Sequence, residues 1–158
     1  MVAMHVLSAA EMQVCDRTTS ERFGIPSIEL MRAASSAVAV FARREFPRAR
    51  RVTVLCGTGN NGGDGMMTAR LLADAGLDVT TILLGSPEKL RGDAAVAWKE
   101  LAHPARGAVQ VAASTVDLEK SNDALGADLI VDAVLGTGFK PPMKGMALAA
   151  LEWIAKSA

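Results

Sequence analysis

Residues 51–65 read Arg-Val-Thr-Val-Leu-Cys-Gly-Thr-Gly-Asn-Asn-Gly-Gly-Asp-Gly, a short apolar run that meets a glycine-rich turn. The run 51–56 is typical of a buried parallel strand, and the apolar spacing after it predicts a helix over 65–75. Open parallel sheets bind ligands at the carboxyl ends of their strands, where this turn lies. Glycines permit positive φ and close backbone approach, and a helix N-terminus attracts anions. The sequence therefore predicts that residues 57–64 hold the phosphates of a nucleotide-type ligand.

Two familiar phosphate loops do not fit this turn. Gly57, Gly59 and Gly62 match the spacing of the dinucleotide fingerprint, which expects an acidic residue at the end of the second strand. Residues 82–85 read Ile-Leu-Leu-Gly there, without an acid. A Walker A loop needs Lys and then Ser or Thr after its last glycine, but residues 63–65 read Gly-Asp-Gly. The sequence supports neither an ordinary NAD dehydrogenase nor a P-loop NTPase.

Three oxygen-bearing side chains stand among the glycines: Asn60, Asn61 and Asp64. Asp64 has two interpretations of equal weight, a ligand contact or a cap at the start of the predicted helix. Helix capping does not account for two adjacent asparagines. Amide oxygens beside a phosphate site suit a hard cation or ligand hydroxyls.

Strands alternate with helices along the rest of the chain. This alternation predicts an α/β fold with a mostly parallel sheet, preceded by two extra helices. Ser8 is predicted to cap the first helix, with Glu11 as its capping-box partner, and Ser27 is predicted to cap the second in the same way. The predicted helices cover residues 8–22, 27–46, 65–75, 86–102, 117–125 and 146–156, and the predicted strands cover 51–56, 78–84, 109–112 and 128–132.

A second glycine turn follows the last predicted strand. Asp132 stands at the carboxyl end of that strand, either capping the turn or facing the same crevice as Asn61. The two turns share one site if their strands are neighbours in the sheet. Thr137 could supply a hydroxyl and Lys140 a cation. The turn consists of Gly136, Thr137, Gly138, Phe139, Lys140, Pro141 and Pro142.

The composition limits the classes of partner. The 158 residues carry 17 basic and 17 acidic side chains and are 50% hydrophobic, which is typical of one globular domain. A balanced charge gives no overall field for nucleic acid or anionic lipid. An arginine cluster within residues 43–51 is interpreted as a solvated face, because only 4% of residues are aromatic. No segment has the pattern of a membrane span or secretory leader, so we expect a cytoplasmic protein that binds no membrane and no nucleic acid.

Several motifs together resemble one known family. Residues 54–65 and the run 131–138, Val-Asp-Ala-Val-Leu-Gly-Thr-Gly, look like the two motifs of the NAD(P)H-hydrate epimerase, or YjeF N-terminal, domain. The spacing Met12-x-x-x-Asp16 and the runs 24–26 and 30–31 fit its N-terminal region. The resemblance covers the whole chain.

The resemblance implies a Rossmann-like three-layer α/β/α sandwich and a homodimer. It implies interconversion of the R and S epimers of NADHX and NADPHX, so that an ADP- or ATP-dependent NAD(P)HX dehydratase can restore NAD(P)H. By motif position, Asn61 and Asp132 would bind a potassium ion. The substrate would contact Asn60, Asn61, Gly62, Gly63 and Asp64, and also residues 136–142.

Two departures from the family pattern bear on activity. The family's second helix reads Leu-Met-Glu-Asn-Ala-Gly, whereas residues 30–35 read Leu-Met-Arg-Ala-Ala-Ser. The family also has a later Asp-x-Pro-Ser-Gly loop, whose Asp is its expected acid/base and whose Ser completes the potassium site. These 158 residues lack that loop, so the catalytic residue is left unassigned. We expect a single nucleotide-binding domain over residues 1–158 that is incomplete at its C-terminus.

Three hypotheses follow from these patterns. The chain is an epimerase or the nucleotide-binding part of one, a non-catalytic nucleotide- or RNA-binding scaffold of the same fold, or a different nucleotide enzyme on the same sheet. The intact Asn-Asn-Gly-Gly-Asp motif favours retained ligand binding. The missing acid and the missing P-loop lysine count against the third hypothesis.

Overall fold

The fold is built on four parallel strands. The computed structural model describes residues 6–101 and 107–156. The strands are β1 (Arg51–Cys56), β2 (Asp78–Leu84), β3 (Ala108–Ala112) and β4 (Leu129–Ala133), and their order in the sheet is β3-β2-β1-β4. The chain thus adds β2 and β3 on one side of β1 and then crosses to place β4 on the other side. Such a reversal opens a crevice at the carboxyl ends of β1 and β4, the two strands on either side of it.

Helices cover both faces of the sheet. The α-helices are α1 (Ala9–Phe23), α2 (Ser27–Glu45), α3 (Asn60–Asp74), α4 (Gly92–Leu101), α5 (Thr115–Glu119) and α6 (Met146–Ala155). One apolar core lies between the sheet and α2, α3 and α4, and includes Val52, Val54 and Leu72. A second core on the opposite face joins Leu55 and Ile82 to Trp153 of α6. The alternation of β1 side chains between two cores confirms the predicted three-layer fold.

The strands and the first helix follow the predictions closely. Strand β2 has the predicted bounds, and β1 pairs with it in register from Arg51↔Asp78 to Cys56↔Leu83. Ser8 caps α1 with Glu11 in a reciprocal capping box. The last strand begins one residue later than predicted, because the side chain of Asp128 binds the backbone at the start of β1. Its carboxylate accepts hydrogen bonds from the backbone N–H groups of Arg50 and Arg51, both at 2.8 Å.

Three helix predictions outside the first glycine turn were wrong in detail. Ser27 does not cap α2, because Pro26 holds the N-cap position and Ser27 is already helical. The helix predicted over 86–102 is a 3-10 turn, Pro87–Lys89, followed by α4, whose first residue, Gly92, has a φ of 52°. The predicted end, Ala102, lies outside the described residues. The helix predicted over 117–125 is α5 plus a second 3-10 turn, Asn122–Gly126.

The helix predicted to begin at Gly65 begins at Asn60 instead. Glycine has a poor intrinsic helix propensity, which made the run 62–65 resemble a loop. Tertiary packing overrides that propensity here. Helices of the described segments are also too short or too polar to cross a membrane.

Candidate nucleotide-binding site

A pocket of about 780 Å³ opens where the two glycine turns meet. It lies at the carboxyl ends of the neighbouring strands β1 and β4, whose register pairs Leu55 with Asp132. The predicted condition for a shared site, neighbouring strands, is therefore met. The lining residues come from α1, the first turn and the second turn: Gln13, Asp16, Thr58, Gly59, Asn60, Asn61, Asp64, Val134, Leu135, Gly136, Thr137, Gly138 and Phe139.

The first turn is shorter than predicted, and most of its motif is helical. Gly59 is the N-cap of α3, and no side chain caps the helix. The leading backbone N–H groups of α3 therefore keep their hydrogen-bonding capacity at the mouth of the pocket. Together with the helix dipole, they form a surface suited to a phosphate. Asp64 is the fifth residue of α3, so the interpretation of Asp64 as a helix cap was wrong.

Gly57 and Gly62 of the first turn serve close packing rather than positive φ. Among the described residues, the positive-φ glycines lie elsewhere, for example at Gly24 and Gly76. A Cβ on Gly62 would overlap the carbonyl oxygen of Gly57, and a Cβ on Gly57 would overlap that of Val134. The first turn of α3 is thus pressed against the two strand ends.

The same packing holds the outer side of α3. A Cβ on Gly63 would lie 2.7 Å from Cε of Met31 on α2. The buried Ser35 hydroxyl lies 2.7 Å from the Met31 carbonyl oxygen and 3.0 Å from that of Asp64. Helix α2 therefore backs the turn of α3 that carries Asp64.

The second turn is fixed to the first by one side-chain bond. Asn61 Nδ2 donates a hydrogen bond of 3.0 Å to the carbonyl oxygen of Leu135, which uses the amide nitrogen and leaves Oδ1 as an acceptor. Asp132 Oδ1 accepts a 3.0 Å bond from the Val134 N–H. Both predicted cation ligands are therefore tied to the segment 134–135.

Asn61 and Asp132 nevertheless line different cavities. Asp132 faces a smaller one of about 170 Å³ beneath α6, which shares Val134 and Leu135 with the main pocket. Its backbone-bonded carboxylate also fits the alternative of a turn cap. Within residues 6–101 and 107–156, no three His, Cys, Asp or Glu side chains gather as a metal cluster. A cation here would rely on amide, carboxylate and carbonyl oxygens.

Asp64 has an unusual electrostatic environment. Its carboxyl group is half-buried in the pocket, and burial raises its pKa from 3.8 to about 6. The negative charge of Asp16, on α1, raises the pKa further. A carboxyl group that titrates near neutral pH inside a pocket is typical of functional sites.

The predicted binding residues divide into two groups. Seven of them line the pocket: Asn60, Asn61, Asp64, Gly136, Thr137, Gly138 and Phe139. Gly62 and Gly63 are buried behind the turn, while Lys140, Pro141 and Pro142 are exposed and are not among its lining residues. Their contact with substrate stays a prediction.

Two lining residues come from a helix that was not predicted to belong to the site. Gln13 and Asp16 reach the pocket from α1, one helical turn apart. The spacing Met12-x-x-x-Asp16 was noted as a family feature, but only the packing of α1 shows that it faces the two turns. Arg32, at the family's Glu position, lies elsewhere, in ion pairs with Glu29 and Glu100.

A parallel sheet with a strand-order reversal, two glycine turns at that reversal and an uncapped helix N-terminus define an α/β domain of Rossmann-like type. Residues 27–158 match the model of the family described as YjeF-related protein N-terminus. The chain belongs to that family.

Named relatives agree with this assignment. The chain is 39% identical over 158 residues to the Bifunctional NAD(P)H-hydrate repair enzyme Nnr of Moorella thermoacetica, covering 98% of this chain and 30% of that protein. It is 37% identical to the NAD(P)H-hydrate epimerase of Limosilactobacillus fermentum, covering 88% and 62% respectively. The crystal structure of the yeast protein ynu0 superimposes with a TM-score of 0.83 at 25% identity, covering 98% of this chain and 66% of that one. The chain thus spans about a third of the first of these proteins.

Proposed function

We propose that this chain is an NAD(P)HX epimerase, an isomerase that interconverts the R and S epimers of hydrated NADH and NADPH. The observation that carries the proposal is the pocket formed by the two glycine turns at the junction of β1 and β4. Relatives of the chain are named NAD(P)H-hydrate epimerase or repair enzyme. Epimerases of this family use a metal ion.

The two sides of the pocket suit different parts of the nucleotide. The uncapped N-terminus of α3 suits the phosphates, whereas Asp16 and Asp64 would repel them. Carboxylates accept hydrogen bonds from hydroxyl and amide groups, so the acidic side of the pocket suits the sugar and the hydrated ring. The substrate would contact Asn60 to Asp64 and the turn 136–142, as the motifs predict.

We also propose that the metal ion is potassium, held by Asn61 and Asp132 beside the segment 134–135, which separates their two cavities and which both side chains contact. Hard cations prefer oxygen ligands, and the bond from Asn61 Nδ2 to Leu135 leaves its Oδ1 for a cation. The ion would neutralise charge beside the pocket and fix the second turn. A thermal-shift titration with KCl against NaCl at equal ionic strength tests this. We expect stabilisation specific to potassium that Asp132→Ala abolishes; equal curves for both salts would contradict it.

The remaining partners follow from the same proposal. The name "bifunctional" of the Moorella relative supports a linked or separate NAD(P)HX dehydratase that consumes the S epimer. A homodimer and a cytoplasmic location complete the proposal. Sedimentation equilibrium of the purified chain tests the first, and fractionation of cells that produce it tests the second.

The activity is tested by adding the 158-residue chain to purified (R)-NADHX and following the S epimer with an S-specific dehydratase. We expect a rate well above the uncatalysed one and a dependence on potassium. No rate above background from a folded chain that binds NADP⁺ would contradict the proposal and favour a non-catalytic binding module. NADP⁺ binding is measured separately by calorimetry, which keeps these two outcomes apart.

A further inference from the structure

The acidic side of the pocket contains two carboxyl groups from distant parts of the chain. Asp64 lies in the second turn of α3, and Asp16 lies on α1. Among the described residues that line the pocket, these two are the titratable ones, without a histidine, cysteine or lysine. No side chain of the described segments donates a hydrogen bond to the Asp64 carboxyl group or pairs with it as a cation.

The proposed reaction needs a proton at the hydroxyl oxygen of the hydrated ring. A hydrated dihydronicotinamide carries its hydroxyl group on the ring carbon beside the nitrogen, because an enamine takes up its proton on the other alkene carbon. Inversion of that carbon requires its C–O bond to break and to re-form on the opposite face. Hydroxide is a poor leaving group, so a positioned carboxylic acid that protonates it lowers the barrier.

We propose that Asp64 is the acid of this inversion and that Asp16 is its positioning residue. This inference rests on the proposed function. The Asp64 carboxyl group gives its proton to the ring hydroxyl, which leaves as water while the nitrogen lone pair forms a C=N bond. Water then adds to the opposite face of that carbon and the C=N electrons return to nitrogen. The proton released on that face passes to solvent water, and the Asp64 carboxylate on the first face is reprotonated from solvent. No redox partner is required, and atoms and charge balance over the cycle.

The environment of Asp64 matches this role. An effective acid near neutral pH needs a pKa near the working pH, and burial together with the Asp16 charge raises that of Asp64 to about 6. Asp16 is the charged group that acts on the Asp64 carboxyl group. Helix α2 also packs against this turn, but its contact there is the neutral Ser35 hydroxyl. The acid form is populated below about pH 6 and lost above it, so the rate should fall as the pH rises. Removal of the Asp16 charge should move that fall to lower pH.

The test compares Asp64→Asn, Asp16→Asn and the matched control Asp123→Asn in the 158-residue chain. Asp123 is exposed on the 3-10 turn that precedes β4. This turn lies at the amino ends of the strands, whereas the pocket lies at their carboxyl ends. We expect Asp64→Asn to lower kcat by at least about 100-fold while NADP⁺ binding changes only a few-fold. Asp16→Asn should keep activity at low pH, with its pH profile displaced downward, and the control should match the wild type.

The outcomes separate this inference from the proposed function. An active wild type with an equally active Asp64→Asn variant overturns the inference alone. A wild type without activity overturns the proposed function and this inference with it. An unchanged pH profile in Asp16→Asn overturns the role of Asp16. Titration of the Asp64 carboxyl carbon by NMR needs no activity, and a midpoint below pH 4.5 would likewise overturn the assignment of Asp64 as the acid.

Discussion

At the residue scale, the glycines of the first turn decide how closely α3 approaches the sheet. Gly62 lies in the first turn of α3, where a Cβ would overlap the carbonyl oxygen of Gly57. Gly59, three residues earlier, has open space around it and a negative φ of −93°. Two glycines of one motif thus have opposite tolerance for a methyl group.

This contrast gives a matched pair of substitutions. Gly62→Ala should lower the free energy of unfolding by about 2 kcal/mol or more, because overpacking against backbone outweighs the gain in helix propensity. Gly59→Ala should change it by less than about 0.5 kcal/mol. Urea unfolding followed by circular dichroism measures both. Equal midpoints for the two variants would show that the turn yields to the methyl group.

Asn61 links the two glycine turns through its side chain. Asn61→Ala removes the 3.0 Å bond to Leu135, so the turn held by the Phe139 N–H bond to Gly136 should open more often. We expect about five- to tenfold faster hydrogen exchange at the Phe139 amide, in line with the roughly 1 kcal/mol of one hydrogen bond. Asn60→Ala leaves the Leu135 bond in place and is the control. Identical exchange in both variants would contradict the coupling of the two turns.

At the scale of elements, α6 anchors the sheet face opposite α3. Trp153 is 1% exposed, and its Nε1 donates a 3.0 Å hydrogen bond to Asn122 Oδ1. Leu151, on the same helix, is 52% exposed. The helix therefore stabilises the fold through one face.

Truncation of each face tests this asymmetry. Trp153→Ala should lower the free energy of unfolding by about 3–5 kcal/mol because it leaves a cavity in the core beneath α6. Leu151→Ala, on the exposed side, should lower it by less than about 0.5 kcal/mol. Thermal unfolding of both variants gives the comparison. A large loss in Leu151→Ala would mean that this side is covered in solution.

The limits of sequence reasoning are clearest at this scale. Strand β2 could be predicted to the residue because β-branched side chains are bounded by Gly76 and Gly85. The start of α3 could not, since local propensity argues against helix at Gly62 and Gly63 and only contacts with distant residues reverse it. Asn60, Asn61, Asp64 and residues 136–139 were predicted as binding residues and line the pocket, whereas the pairing of β1 with β4 that joins the two turns could not be predicted. Asp16 could not be predicted either, because its place in the pocket depends on how α1 docks.

At the scale of the whole molecule, the half-buried carboxyl group of Asp64 makes the free energy of unfolding depend on pH. The pKa of Asp64 is about 6 when folded and near 3.8 when unfolded, so the folded state binds more protons between these values. Its contribution is complete below about pH 4 and is lost as the pH rises through 6. The pKa of Asp128 is lowered by its backbone bonds to Arg51 and Arg50, so its contribution is lost as the pH falls through that lowered value.

The urea midpoint should therefore decline between pH 4.5 and pH 7.5, and less so in Asp64→Asn than in the wild type. The exposed Asp123→Asn variant should follow the wild type. Measurements at constant ionic strength give the three curves. A wild-type midpoint that does not fall over this range would contradict the raised pKa of Asp64.

The strand order also has a consequence for biosynthesis. The pocket needs β4 beside β1, although more than seventy residues separate them along the chain. When only β1 to β3 have emerged from the ribosome, the first glycine turn is present, but the second turn, which forms the other side of the pocket, is not. Pairing over such a distance pays a loop-closure entropy and tends to occur late in folding. Ligand can therefore act on this domain only in its final folding step, where it would hold the newly docked β4 in place.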